Sequence, residues 1–167
     1  KEVSSSIEAN WKNEKLWGQN PDECKIFQEY TLGILRRLIV SSNLQQEAKD
    51  LYFFFDCYNL SQFPWDAKLR SRNLELNPGY FGSLKTEDEW AALLAHELSH
   101  HILRHEDILE PFRSQVQPKP SDDLFSVAKP SEVDLRILNL IKINEDEAEL
   151  NSISILANAG YSYLGAL

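Results

Sequence analysis

The chain has 167 residues, 43% apolar and 26% charged, which predicts one hydrophobic core rather than two. It carries 17 Lys and Arg against 26 Asp and Glu, a formal net charge of −9, and it has no basic cluster. These features argue against nucleic acid as a partner. No apolar stretch of about 18 residues is present, so we expect no transmembrane span. Because the chain starts at Lys1 with no Met and no signal segment, we expect a mature or trimmed fragment.

The first half of the chain predicts a tail, one helix and two strands. Residues 1–21 are polar and end in a breaker cluster, which predicts an N-terminal tail or arm ahead of a domain at 22–167. Apolar residues recur at helical spacing over 22–40. The aromatic segment 51–55 and the alternating segment 72–77 predict strands. We interpret the two cysteines, Cys24 and Cys57, as buried thiols, and a disulfide between them stays open.

Two further helices are predicted downstream. Thr86 and Glu89 form the capping-box pattern, and the helix that they begin should continue to about Glu106. Four prolines and a polar composition over 107–131 predict a long surface loop. Ser131 can cap a last helix, which the Asn-Ala-Gly sequence at 158–160 ends. These elements predict an α+β fold, mainly helical with a small sheet.

All four histidines lie within ten residues of the helix that Thr86 begins: His96, His100, His101 and His105. His96 and His100 are separated by four residues, so their imidazoles share one helix face and can bind a single metal ion. In this His-Glu-x-x-His pattern the ion is typically zinc, and Glu97 can take a proton from metal-bound water. Iron, cobalt or nickel can use the same ligands. The alternative interpretation is an ordinary solvated helix face.

A catalytic zinc site needs a third protein ligand, and no histidine outside this cluster and no suitable thiol is available. The acidic run 144–149 of the last helix supplies candidates. Glu145 and Glu149 share a face, whereas Glu147 points nearly opposite. A solvated acidic surface is the alternative for this segment.

Residues 90–105, Trp-Ala-Ala-Leu-Leu-Ala-His-Glu-Leu-Ser-His-His-Ile-Leu-Arg-His, resemble the active-site helix of the HtpX and CAAX prenyl protease family of zinc metallopeptidases, family M forty-eight. The acidic run 145–149 and the Ala-Gly-Tyr sequence at 159–161 resemble the family's downstream helix. The resemblance covers roughly residues 24–164. It departs from the family pattern at Glu149, where the family has aspartate, and around 61–67.

The resemblance implies a zincin-like (gluzincin) metallopeptidase domain with the small sheet beside the active-site helix. It implies one Zn²⁺ held by His96, His100 and Glu145. It also implies that Glu149 orients one of the ligating imidazoles from the second shell and that His105 makes a hydrogen bond there. The residues around Leu74 resemble the family's edge strand, which would bind an extended substrate as an added strand.

The activity expected from these residues is endoproteolysis of unfolded or flexible proteins, with Glu97 activating a zinc-bound water and protonating the leaving amine. Similarity to the family's periplasmic members implies envelope protein quality control and an extracytoplasmic location. One alternative stays open, in which the domain is latent or inactive and acts as a chaperone or protein-binding module. The presence of Glu97 between the histidines favours hydrolysis.

Overall fold

The computed structural model describes residues 21–55, 67–70, 73–76, 84–113 and 132–166. Most of these residues are helical, and a small sheet accompanies them, so the predicted α+β class is confirmed. In chain order the elements are helix α1 (Pro21–Ser41), a 3-10 helix (Glu47–Asp50), strands β1 (Tyr52–Phe55), β2 (Ala67–Arg70) and β3 (Asn73–Leu76), helices α2 (Glu87–Ile102), α3 (His105–Arg113) and α4 (Glu132–Ala159), and a second 3-10 helix (Tyr163–Ala166).

Several predictions concern residues outside these ranges. They are the tail at 1–20, the part of the predicted loop at 114–130, the cap at Ser131 and the thiol of Cys57. Within the described part of the chain, no helix combines the length and the apolarity that a membrane crossing requires.

The three described strands form one sheet in the order β1-β3-β2. Strand β1 runs parallel to β3, with Phe53 opposite Leu74, and β2 runs antiparallel to β3, with Leu69 opposite Leu74. The strands at 52–55 and 73–76 were predicted, but β2 was not. The prediction that the strand around Leu74 forms the sheet edge was wrong, because β3 is paired on both sides. Alternating apolar residues report which face of a strand is buried, not whether its backbone is paired.

Helix α2 is enclosed by the core, and its burial explains why it can hold a site in fixed geometry. Its fully buried residues include Trp90, Leu94 and Leu98. The Trp90 indole Nε1 donates a hydrogen bond of 3.1 Å to Oγ1 of Thr31 on α1, and the Phe27 ring packs 5.5 Å from the Trp90 ring. A buried Trp normally needs such a partner for its N–H, so this contact fixes the position of α2 against α1.

The predicted start of α2 agrees with the structure, and its predicted end does not. At its start, Thr86 and Glu89 form the predicted capping box, with each side chain accepting from the other residue's backbone N–H at 3.2 Å. At its other end the helix stops at Ile102 instead of Glu106, because Arg104 adopts a left-handed conformation (φ 57°). The chain then starts α3 at His105, and residues 107–113 are helical rather than part of a loop.

Gly160 ends α4, as its sequence predicted. The residue has φ 74°, and the backbone N–H groups of Gly160 and Tyr161 donate to the carbonyls of Ala157 and Leu156 at 3.1 and 3.0 Å. This pair of bonds is the Schellman motif, which satisfies the last carbonyls of a helix and favours glycine in the left-handed position.

We therefore expect Gly160→Ala to lower the free energy of unfolding by about 1–2 kcal/mol, the cost of a left-handed conformation for a residue with a Cβ. The added Cβ would also lie 3.3 Å from the Arg37 guanidinium. Thermal denaturation measures the change. The matched control is Gly33→Ala in the middle of α1, where a Cβ meets nothing within 4 Å. That substitution should stabilise the helix slightly, and equal effects at the two glycines would contradict the argument.

Candidate metal centre

Two packed helices bring three potential metal ligands together. His96 and His100 lie one turn apart on the face of α2 that meets α4, and Glu145 projects from α4. The two imidazole Nε2 atoms are 3.0 Å apart. Glu145 Oε2 lies 3.2 Å from Nε2 of His96, and its Oε1 lies 3.6 Å from Nε2 of His100. One nitrogen from each histidine and one carboxylate oxygen are thus directed at a common point.

These separations fit a zinc ion. Zinc bonds of 2.0–2.1 Å in a tetrahedron place neighbouring ligand atoms about 3.3–3.4 Å apart. The two imidazole nitrogens are 3.0 Å apart, and the nearer Glu145 oxygen lies 3.2 Å from His96 (Oε2) and 3.6 Å from His100 (Oε1), so these separations lie on both sides of that value. The donor set of two imidazoles and one carboxylate is also typical of catalytic zinc sites, in which water takes the fourth position. The Glu145 side chain is 54% exposed, so water can reach the cluster.

The packing of α2 on α4 sets this arrangement. Asn144, Ala148 and Ser152 recur every four residues along α4 and are buried. Across the interface Ser99 is fully buried, and its hydroxyl accepts a hydrogen bond of 3.1 Å from the Asn151 amide while donating to the Ala95 carbonyl. The Asn151–Ser99 hydrogen bond joins α4 to α2 within the turn that carries His96 and His100. Glu145, next to Asn144, is thereby held opposite His96.

The protonation state of His100 suits a ligand. Burial, and after it the neighbouring His96, lower the pKa of His100 to about 4, while the Glu145 carboxylate acts in the opposite direction. The imidazole of His100 is therefore neutral at pH 7. The neutral form is the one that binds metals, so no proton has to be removed from His100 before an ion binds.

Glu97 lies beside the cluster without being part of it. It follows His96 in α2, which places its side chain about 100° around the helix from His96 and about 60° from His100. The residue is half-buried. A carboxylate at this position is turned away from the common point of the three donors but stays within the same helical turn. That arrangement suits a base that acts on a group bound at the cluster.

The other candidate residues, His105 and Glu149, have different surroundings in the structure. His105 is only 1% exposed, and its Nδ1 lies 2.8 Å from Nδ1 of His100. The second nitrogen of His105, Nε2, lies 3.3 Å from Oε2 of Glu147. Glu149 is exposed, and among the described contacts its carboxylate does not meet a histidine. Among the described contacts, Glu147 is thus the glutamate of α4 that meets His105.

Sequence reasoning missed Glu147 because it considered one helix face. Glu147 is two residues from Glu145 and projects from a different side of α4, where it meets His105 at the start of α3. The direction of α3 depends on the left-handed turn at Arg104, which no glycine or proline marks. His101, the residue after His100, lies away from the cluster. Its Nε2 lies 3.2 Å from the backbone carbonyl oxygen of Glu47.

A cleft of about 290 Å³ lies next to the cluster. It is bordered by the 3-10 helix at 47–50, the end of α2 and the start of α3. His100 is the one cluster residue on its wall, and the charged residues around it include Glu47, Lys49, Arg104 and Asp107. The cleft is therefore a polar space adjoining the metal ligands rather than the metal position itself.

Comparison of the chain with models of known protein families, with curated proteins and with solved structures found no match.

Proposed function

We propose that the protein is a zinc-dependent endopeptidase of zincin type that hydrolyses unfolded or flexible proteins. The observation that carries the proposal is the cluster of His96, His100 and Glu145, whose ligand atoms all lie within 4.8 Å of one another on two packed helices. Glu97 in the same turn of α2 adds a base to the ligands. A site that binds zinc only for structural stability needs no such carboxylate between its histidines.

In this proposal some residues bind the metal ion and another transfers protons. His96, His100 and Glu145 would hold the ion, which supplies Lewis-acid chemistry by polarising the scissile carbonyl and lowering the pKa of a water molecule. Glu97 accepts the proton of the attacking water at its carboxylate and delivers it to the nitrogen of the leaving amine. Buried α2 keeps Glu97 and the two histidines in fixed relative positions, so little reorganisation accompanies the transfer.

Strand β2 offers a place for an extended substrate. Among the described strands, β2 is an outer strand, paired on one side with β3, and it contacts α2. A peptide that adds to an outer strand is held mainly by backbone hydrogen bonds, which gives affinity with weak sequence preference. This mode requires an extended, accessible chain. Unfolded or flexible proteins are therefore the substrate class that we propose.

Metal removal and replacement test the proposed function. The protein should bind one zinc per chain, lose casein hydrolysis after treatment with a chelator, and regain it when zinc is restored. Magnesium should not restore hydrolysis, because Mg²⁺ prefers octahedral oxygen ligands. The measurements are zinc stoichiometry by elemental analysis and the release of casein fragments. Bound zinc without hydrolysis would contradict the peptidase proposal, and the absence of zinc binding would contradict the metal site as well.

A further inference from the structure

We propose that His105 and Glu147 are positioning residues that set the tautomer of His100 so that its Nε2 presents a lone pair to the metal. The inference rests on the metal-binding part of the proposed function and assigns roles that hydrolysis alone does not require. It concerns a chain of three side chains from three helices: His100 on α2, His105 on α3 and Glu147 on α4.

The contacts in this chain are close, and the central His105 ring is shielded from water. The two Nδ1 atoms of His100 and His105 are 2.8 Å apart, and the ring centroids lie 4.9 Å apart with an edge-to-face angle of 79°. His105 is 1% exposed, so its polar atoms depend on protein partners. Its Nε2 has Glu147 Oε2 at 3.3 Å. The ring of His105 thus bridges a metal-ligand candidate and a carboxylate.

The carboxylate fixes the direction of both hydrogen bonds. An ionised carboxylate only accepts, so His105 must donate to Glu147 from Nε2. In its neutral form His105 has one donor nitrogen and one acceptor nitrogen, so in that form its Nδ1 accepts. The hydrogen between the two rings consequently belongs to Nδ1 of His100. That leaves Nε2 of His100 without hydrogen, so its lone pair is directed at the cluster, where Nε2 of His96 and Oε1 of Glu145 lie 3.0 and 3.6 Å away.

The opposite direction would disable the ligand. If Nδ1 of His105 donated instead, Nδ1 of His100 would accept and Nε2 of His100 would carry the hydrogen. An imidazole nitrogen that bears hydrogen cannot bind a metal ion. The Glu147 carboxylate thus acts through the His105 ring to select the His100 tautomer that can bind a metal. Partners of this kind typically account for 10–100-fold in metal affinity.

The test compares Glu147→Gln and His105→Phe with the control Asp146→Asn. Gln has nearly the shape of Glu but can donate as well as accept, so it no longer enforces the direction of the chain. Phe keeps much of the ring volume without hydrogen bonds. Asp146 is an exposed neighbour on α4, and its amide removes the same charge. We expect zinc affinity, measured by chelator competition, to fall about 10–100-fold in both variants and to remain unchanged in the control.

The second readout is the His100 tautomer, measured by ¹⁵N imidazole NMR on the metal-free protein. The wild type should carry hydrogen on Nδ1, and both variants should shift His100 toward the Nε2–H form. A merely structural role would leave the tautomer unchanged. If His105→Phe does not fold, Glu147→Gln still decides, because the Glu147 side chain is 55% exposed and its replacement creates no cavity.

The outcomes separate this proposal from the proposed function. An Nε2–H tautomer in the wild type, or Glu147→Gln with unchanged affinity and tautomer, would overturn the positioning roles. If the wild type binds zinc with the expected tautomer but cuts no protein, the positioning roles stand and the peptidase proposal fails. If Asp146→Asn weakens zinc as much as Glu147→Gln does, the effect is one of net charge, and the chain plays no part.

Discussion

Glu97→Gln should abolish protein hydrolysis while leaving zinc bound. The amide has nearly the same shape as the carboxylate but cannot accept a proton at neutral pH. Loss of a positioned general base typically lowers the rate by on the order of 10²–10⁴-fold. Because Glu97 lies outside the three-donor cluster, zinc affinity should be unaffected. The measurements are casein cleavage and zinc stoichiometry on the same sample.

Glu29→Gln on α1 provides the matched control. It makes the same chemical change on an exposed helical glutamate whose described ionic partner is Lys25, four residues before it. Its cleavage rate should equal that of the wild type. If Glu97→Gln cleaves casein as fast as Glu29→Gln, Glu97 is not the base. If Glu97→Gln loses both zinc and activity, its role is in holding the metal site rather than in transferring protons.

Local patterns in the sequence were sufficient for the parts of the fold that depend on neighbouring residues. The capping box at Thr86 and the terminating Gly160 each act through backbone groups a few positions away, so their effects can be predicted without tertiary structure. The common face of His96 and His100 follows from helical spacing in the same way. The structure agrees with each of these predictions.

Features that depend on distant contacts could not be predicted in this way. Strand β2 was not predicted, and what defines it as a strand is its pairing with β3. The break between α2 and α3 occurs at Arg104 in a left-handed conformation that is uncommon outside glycine. That break directs His105 toward Glu147 instead of continuing the helix. His105 meets Glu147 because of the direction of α3. The periodicity of residues within α4 carries no information about that direction.

His100→Ala should lower zinc affinity by far more than the roughly 10–100-fold that accompanies loss of a second-shell partner, because it removes one of the three donors. Isothermal titration of the metal-free protein with zinc measures the effect. The substitution should also remove Nδ1 of His100, which lies 2.8 Å from Nδ1 of His105. A modest loss of thermal stability should therefore accompany the loss of zinc.

His101→Ala is the control that the chain itself offers. His101 is the next residue in the same helix, and its Nε2 lies 3.2 Å from the carbonyl oxygen of Glu47 rather than at the cluster. Its removal should leave zinc affinity unchanged. The two histidines differ chiefly in direction around α2, so a difference between the variants locates the metal on the face toward α4. Equal losses would instead indicate that zinc binds the histidine-rich segment without regard to the fold, and the proposed cluster would be wrong.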